Sequence, residues 1–485
     1  MRKVLFVGIP FIAWESIIKT LIQQGHKVHV IGWKDDKILW GNLDVIFIEL
    51  DSLWNLDVKS YINSSSIKWS QKHSLEFLQL LAMYDRIESN LVSANFVTRE
   101  SLSISELNKW HSYLTENKID TVFMANIPHR IWDFAIYLSA KELNINSVMF
   151  ALSPFQSNVF AYKSLREDPL HFIKKSYCIN NDAINKLYQN VKGLSDNAIP
   201  SYMIKQKATN QSIFLLIIKK YIDKLSRFNR SRIKEVLRPN TYRWVKKRDY
   251  EYVAPSWLKF IIDGLFKYVF LKRLKSKYKS VAVKLLPKED FYFFALHYQP
   301  EETTIPSALS YHNQFSLIEY IYSTLPKNVK LVVKEHPSQF YYSMEGDRGR
   351  DLNYYKRIEK IGDRIHIQSI ETNSFDIIKK AKGVFTICGT IGLESAIAEK
   401  KVFTFGRIWY KGLKNVYHIN DFSLIDFFKV NSLDFSDSDW TNFSDTIKDY
   451  LISCKPYKAH LKNTDLSDEI STKNLLKFIQ NEILN

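Results

Sequence analysis

The sequence predicts an α/β protein built of two Rossmann-like, doubly wound domains with a basic, largely helical insert between them. Three observations carry that reading. Short β-branched and aromatic runs alternate with helix-period segments from Lys3 to Leu152. The same alternation restarts at Phe291 and continues to Phe405. Between these stretches, residues 219–288 hold 21 Lys and Arg against five acids, nearly the whole of the net charge of +17. Strands alternating with helices bury best as a parallel sheet covered on both faces. The expected domains are residues 1–200, an insert over 201–289, and residues 290–485.

A chain of 485 residues can build two or three such cores. Its 46% hydrophobic and 25% charged residues exclude wholesale disorder, and 14 Gly with 13 Pro exclude collagen-like and low-complexity chains. Cys178, Cys388 and Cys454 are too scattered for a zinc module or a disulfide scaffold, which predicts a reduced, cytoplasmic protein.

Lys3 to Gly8 is the first strand. Its basic start and apolar run are interrupted by Glu15 and Lys19 with no small-residue cleavage site, so it reads as a core strand and not a signal peptide. A helical pattern from Trp14 to Gln24 stops at Gly25, and Val28 to Gly32 is the next strand. Asp44 to Leu50, Asp120 to Met124 and Ser147 to Leu152 follow as strands, with a helix over Trp132 to Leu143. In the basic segment, helical patterns span Ile213 to Phe228 and Trp257 to Tyr278, broken by the turn-like Arg238-Pro239-Asn240. No apolar run approaches the roughly 20 residues of a membrane span.

In the second half the expected strands are Phe291–Leu296, Val329–Lys334, Arg364–Gln368, Gly383–Cys388 and Val402–Phe405, and the expected helices Asn313–Leu325, Asn353–Ile361, Ser374–Lys380 and Ile391–Glu399. Ligands of open α/β sheets bind beyond the carboxyl ends of strands. The loops there carry His297 and Glu301, then Lys334 and His336 before Pro337, then Gly389, Thr390, Gly392 and Glu394, then Gly406. Lys334 and His336 can direct donors at a phosphate, and Gly389-Thr390 opens a helix whose amino end favours anions. Glu394, one turn after Thr390, can accept hydrogen bonds from sugar hydroxyls. The ordinary alternatives are a solvated lysine, a backbone-bonded histidine and a capped helix with an exposed glutamate. No Gly-Lys-Ser/Thr follows the glycine, so there is no P-loop, and Gly8 stands alone after the first strand, so there is no dinucleotide fingerprint.

Three strings in order, FALHYQPEETTIP (Phe294–Pro306), VVKEHP (Val332–Pro337) and TICGTIGLESAIAEKKVFTFG (Thr386–Gly406), resemble bacterial capsule and surface-polysaccharide glycosyltransferases of GT-B architecture, a group similar to capsular Kdo transferases with a His-Pro motif. The resemblance covers about residues 290–410. It implies a nucleotide-sugar donor, with CMP-Kdo or another CMP-sugar favoured, and a glycan or lipid-linked glycan acceptor, with no cofactor and no metal. By position it places His336 on the donor phosphate, Gly389 and Thr390 on phosphate or nucleotide, and Glu394 on the ribose. Such enzymes often show a Ser/Thr pair where this chain has Gly389-Thr390, which removes one hydroxyl. Two other functions fit the same pattern: a GT-B-shaped sugar-nucleotide epimerase, and a non-catalytic scaffold for polysaccharide assembly.

The general base should come from the first domain. His129 could take the acceptor proton with Asp133, four residues on, orienting it, and Glu15 is the competing carboxylate. Each also fits a surface or capping role. In the insert, cations interleave with Phe228, Trp244, Trp257, Phe266, Tyr268, Phe270 and Tyr278. A helix with Lys272, Arg273, Lys275 and Lys277 on one face and aromatic residues on the other would lie on an anionic membrane surface. That predicts peripheral placement on the inner face of the cytoplasmic membrane. The alternatives are a solvated face and a nucleic-acid surface, and no DNA- or RNA-binding motif accompanies the charge, so no nucleic-acid partner is expected.

Overall fold

The computed structural model describes residues 1–33, 36–50, 69–88, 95–155, 157–171, 181–193, 257–456 and 466–484. They fall into two compact units, one of Met1–Met83, Asn95–Asn190 and Trp440–Asn485, the other of Tyr84–Ala94 and Val191–Asp439.

In the first unit, β1 (Lys3–Val7), β2 (Lys27–Gly32), β3 (Ile46–Glu49), β4 (Thr121–Met124) and β5 (Asn146–Leu152) are parallel. β6 (Asn158–Tyr162) runs antiparallel to β5, and β13 (Leu451–Ser453) antiparallel to β6, giving the order β13-β6-β5-β4-β1-β2-β3. The principal helices are α1 (Phe11–Gln23), α2 (Phe96–Glu116) and α3 (Ile131–Glu142). Helix α1 buries Trp14, Ile17, Ile18 and Leu21, one stripe at helical spacing. It ends where Gly25 adopts φ +82°, with the His26 N–H reaching back to the Leu21 carbonyl at 3.0 Å and the Gly25 N–H to Ile22 at 2.9 Å. That is a Schellman stop, and a left-handed residue there favours glycine. The Asn95 side chain caps α2, accepting the Thr98 N–H at 2.8 Å.

The second unit holds β7 (Phe291–Ala295), β8 (Lys330–Lys334), β9 (Ile365–Ile367), β10 (Gly383–Thr386), β11 (Lys401–Thr404) and β12 (Val416–His418), all parallel, in the order β12-β11-β10-β7-β8-β9. Its principal helices are α4 (Trp257–Val281), α5 (Gln314–Thr324), α6 (Tyr354–Glu359), α7 (Ser374–Lys380), α8 (Thr390–Ile397) and α9 (Leu424–Lys429). Asn313 and Asn373 cap α5 and α7, accepting N–H groups of Ser316 at 3.3 Å and Phe375 at 3.0 Å. The chain builds one edge of the sheet through β8 and β9, then returns to build the other from β10. The loops after β7 and β10 therefore diverge, which is where a ligand crevice forms in an open sheet.

Two expectations about organisation are corrected. The C-terminal domain does not run to residue 485: β13 and a last helix, α10 (Asp468–Leu484), join the first unit. Ile452, Cys454, Leu475, Phe478 and Ile479 lie in its core, Phe478 sits 5.5 Å from the Phe150 ring, and the Pro456 carbonyl accepts the Trp14 indole N–H at 2.9 Å. The physical reason is that the apolar face of α1 needs cover and α10 supplies it. The basic insert is not a separate element over its whole length either. Leu271, Leu274 and Tyr278 of α4 are buried in the core of the second unit, among Phe294, Phe340 and Tyr355. The expected helix Ile213–Phe228 and the turn at 238–240 lie outside the described residues. Among the described residues no helix is long and apolar enough to cross a membrane.

Candidate functional site

In the second unit, His297 follows β7 and is fixed before any ligand arrives. Its N–H donates to Gln314 Oε1 at 2.7 Å, and its carbonyl accepts from Gln314 Nε2 and from Arg350, each at 3.0 Å. The ring turns toward the loop after β10, where Nε2 accepts the Cys388 N–H at 3.3 Å. Burial, then the neighbouring His336 and Arg350, hold the imidazole at about 3, so the ring is neutral at physiological pH. A Cβ on Gly389 would stand 3.1 Å from His297 Nε2 and 3.0 Å from Thr386 Oγ1, so the glycine lets this turn lie against the histidine. The Gly389 N–H donates to Thr386 Oγ1 at 3.2 Å, and its carbonyl accepts the Tyr410 hydroxyl at 2.5 Å.

Thr390 is exposed at the start of α8, and its side chain hydrogen-bonds Glu394. Burial raises the Glu394 carboxyl to about 7, with the Thr390 bond partly offsetting it. The other two glycines are explained by packing. A Cβ on Gly392 would meet Tyr410 Oη at 2.3 Å, and one on Gly406 would meet Ile387 Cγ2 at 2.9 Å and the Ser307 carbonyl at 3.0 Å. Glu301 is exposed, and its carboxylate accepts the Thr303 hydroxyl at 2.9 Å.

Lys334 closes β8, and Glu335 and His336 follow it. His336 Nδ1 accepts the Ser338 N–H at 3.2 Å, which leaves the ring proton on Nε2. Burial, then Lys334, lower its pKa to about 4, so it is a neutral N–H donor and not a cation. Lys334 is buried, donates to Ser374 Oγ at 2.8 Å, and is lowered by burial to about 8.

Glu335, given no role by sequence reasoning, is the hinge of this region. Its carboxylate meets Arg350 Nε at 2.9 Å with both side chains fully buried, and it also accepts the Tyr355 hydroxyl at 2.8 Å and the His336 N–H at 2.8 Å. Arg350 continues to Gln299 Oε1 at 2.5 Å, so the pair ties the loop after β8 to the loop after β7. The one signal in the sequence was an acid at the end of an otherwise buried strand.

The first unit has its own divergence of loops, between β1 and β4. Gly8 stands there at φ +70°, with Asn126, Arg130, Trp132 and Asp133 lining a small cleft. His129 Nδ1 contacts the Ile127 carbonyl at 2.7 Å, and Asp133 Oδ1 accepts the Arg130 N–H at 2.7 Å, bracing the start of α3. Glu15, on α1, pairs with Lys19 at 2.7 Å.

On α4, Lys272, Arg273, Lys275 and Lys277 are exposed as expected. The aromatic face expected to meet lipid is exposed only in part: Phe266 is exposed, but Phe270 is half-buried, and Tyr278 is fully buried, its hydroxyl bonded to the Gln368 carbonyl and accepting the Glu335 N–H at 3.2 Å. The sheet claims that face because an apolar helix stripe is stabilised most where a core can cover it.

Residues 304–423 match the family described as capsule polysaccharide biosynthesis protein. No curated protein sequence matches the chain. Among solved structures, the β-Kdo 2,7-transferase of KpsC from Thermosulfurimonas dismutans is similar at 10% identity over 99% of this chain and all of that one, with a TM-score of 0.30. The β-Kdo 2,4-transferase of the same organism is similar at 12% identity over 74% of this chain and 87% of that one, with a TM-score of 0.27. UDP-GlcNAc 2-epimerase from Neisseria meningitidis is similar at 10% identity over the full length of both, with a TM-score of 0.21. The stretch carrying His336, Gly389, Thr390, Glu394 and Gly406 is thus similar to capsule polysaccharide biosynthesis proteins, as its motifs implied.

Proposed function

We propose that this protein is a glycosyltransferase that moves a sugar from a nucleotide-activated donor, CMP-Kdo or another CMP-sugar, to a capsule or other surface glycan, free or lipid-linked. The observation that carries the reading is the gathering of two neutral, buried-side histidines, a helix start and a carboxylate at the ends of β7, β8 and β10, within or beside the stretch similar to capsule biosynthesis proteins. His336 Nε2–H donates to the donor phosphate. The Gly389-Thr390 start of α8 adds backbone donors and a hydroxyl, and Glu394 accepts from the ribose. His297, held against Gly389, shapes the crevice floor, and Lys334 supplies nearby positive charge.

In the reaction the bond from the anomeric carbon to the phosphate oxygen breaks and its electron pair leaves with the nucleotide. The acceptor hydroxyl oxygen forms the new bond to that carbon and loses its proton to a base. The His336 donor is worth most as negative charge grows on the departing phosphate. The first unit holds the acceptor in this reading, with His129 as the base, Asp133 supporting its loop, and Glu15 as the alternative base. Peripheral attachment to the cytoplasmic face of the membrane would bring the protein to lipid-linked acceptors.

The test is product analysis after incubation with CMP-Kdo and a panel of nucleotide sugars, with capsule fragments as acceptor. Extended glycan and free nucleotide are expected. An epimerised nucleotide sugar, or no turnover with any donor, would overturn the assignment.

A further inference from the structure

We propose that the outward face of α4 inserts shallowly into an anionic lipid leaflet, with Leu265, Phe266 and Val269 entering the headgroup boundary and Lys272, Arg273 and Lys277 holding lipid phosphates. This rests on the peripheral placement proposed above and is independent of the transfer chemistry.

The two faces of α4 are sharply different. Leu271, Leu274 and Tyr278 are buried in the core, and Lys267 also points inward, bonding Glu345 at 2.8 Å. At 100° per residue, positions 265, 269, 272, 273 and 276 lie on the opposite side, with 266 and 277 flanking them. Leu265, Phe266 and Val269 are 48%, 57% and 52% exposed, a continuous apolar group on the outward surface. Exposed apolar side chains scattered singly are ordinary, but three together on one helix face mark an interaction surface.

The neighbouring charge identifies the partner. Lys272, Arg273 and Lys277 are exposed directly after the apolar group, and among the described residues no acid pairs with them. Lys272 Nζ lies 4.5 Å from the Tyr268 ring centroid, held along the helix and not by a carboxylate. From Leu265 to Lys277 the stripe is about 18 Å long, apolar at one end and cationic at the other. An anionic leaflet is complementary to both ends: its phosphates take the cations and its acyl boundary takes the apolar group. A nucleic acid would satisfy the cations and leave Leu265 and Val269 in water.

The sequence pattern offers Phe266, Tyr268, Phe270 and Tyr278 of this helix as the lipid-facing aromatics. The core covers Phe270 in part and Tyr278 wholly, Phe266 stays exposed, and Leu265 and Val269, which the interleaving of aromatics and cations does not single out, join it.

The test is flotation of the full chain with vesicles of phosphatidylethanolamine doped with phosphatidylglycerol, and with phosphatidylcholine alone, at low and high salt. Binding to the acidic vesicles is expected. Lys272→Gln, Arg273→Gln and Lys277→Gln together should weaken it roughly a hundredfold at low salt, at about fivefold per cation. Leu265→Ser, Phe266→Ser and Val269→Ser together should weaken it at least roughly tenfold and abolish the part that survives high salt. Thermal melting of both variants should match the parent, since all six side chains face outward. Parent-like flotation of the serine variant would overturn insertion and leave a purely electrostatic peripheral attachment. Absence of flotation by the parent would overturn both insertion and peripheral placement. Tighter binding of a single-stranded oligonucleotide than of acidic vesicles, lost with the same three cations, would make the face a nucleic-acid surface and overturn the proposal.

Discussion

The two sheets hold the groups at their strand ends in different ways. In the second unit the ties are long-range: His297 reaches Cys388, Arg350 reaches Glu335 and His297, Lys334 reaches Ser374, and Cys388 Sγ reaches the Thr303 carbonyl at 2.8 Å. In the first unit the candidate residues have ties within their own loops or helix, His129 to Ile127, Asp133 to Arg130 and Glu15 to Lys19, and His129 and Asp133 have further partners besides these. Long-range ties through buried groups fix several loops in one arrangement before a ligand binds, which is what recognition of a charged, rigid phosphate group requires.

The largest expected effect comes from cutting the strongest of these ties. Glu335→Ala leaves the Arg350 guanidinium buried without its carboxylate and should cost about 3–5 kcal/mol of stability. Asp133→Ala, which removes a helix-start brace, should cost about 0.5–2 kcal/mol. Urea unfolding of both variants checks the contrast, and equal losses would mean that the second unit is no more tightly tied than the first.

A smaller effect on stability but a large one on activity is expected at the histidines. His336→Ala should lower turnover by roughly 10² and weaken donor binding as well. His129→Ala should lower turnover by about 10²–10⁴ with donor affinity unchanged. Steady-state kinetics together with donor titration separates the two, and loss of donor affinity in His129→Ala would place that residue on the wrong side of the reaction.

Much of the second sheet was legible because its strands are runs such as Phe291-Tyr292-Phe293-Phe294 and its helices start with Asn caps at 313 and 373. The Schellman stop at Gly25 was legible for the same local reason. What escaped depends on partners distant in the chain. β13 is three residues long and carries no pattern that says which sheet it joins. The helix Phe96–Glu116 is mixed in polarity, and its buried Glu106 and Lys109 face each other at 3.4 Å, which hides a buried face behind charged letters. Glu335 and Arg350 are 15 residues apart and meet only once α6 and the loop after β8 are in place. The candidate site was legible as a set of loops, and the network that positions those loops was not.

The smallest expected effect is a pH dependence at Glu394. Its carboxyl is raised to about 7 by burial, so the folded protein holds a proton there that the unfolded chain releases near 4.5. This contribution to stability is present below the unfolded value and is lost as pH rises through about 7. Nucleotide affinity should move the other way. The carboxylate that accepts ribose hydroxyls forms above pH 7, so from pH 6 to pH 8 binding by the parent should gain relative to binding by Glu394→Gln, with Lys334, lowered to about 8, acting alike in both proteins. Calorimetry across that range checks both lines, and parallel pH profiles for the two proteins would remove Glu394 from the ribose.

The central claim is that the strand ends of the second sheet bind the nucleotide of an activated sugar. Calorimetric titration of the parent, His336→Ala and Glu394→Gln with CMP, beside UDP and GDP, tests it most directly. One site for CMP is predicted, weakened roughly tenfold or more in each variant while the melting temperature stays near the parent's. A parent that binds none of the three nucleotides, or variants that bind them as well as the parent does, would contradict the claim.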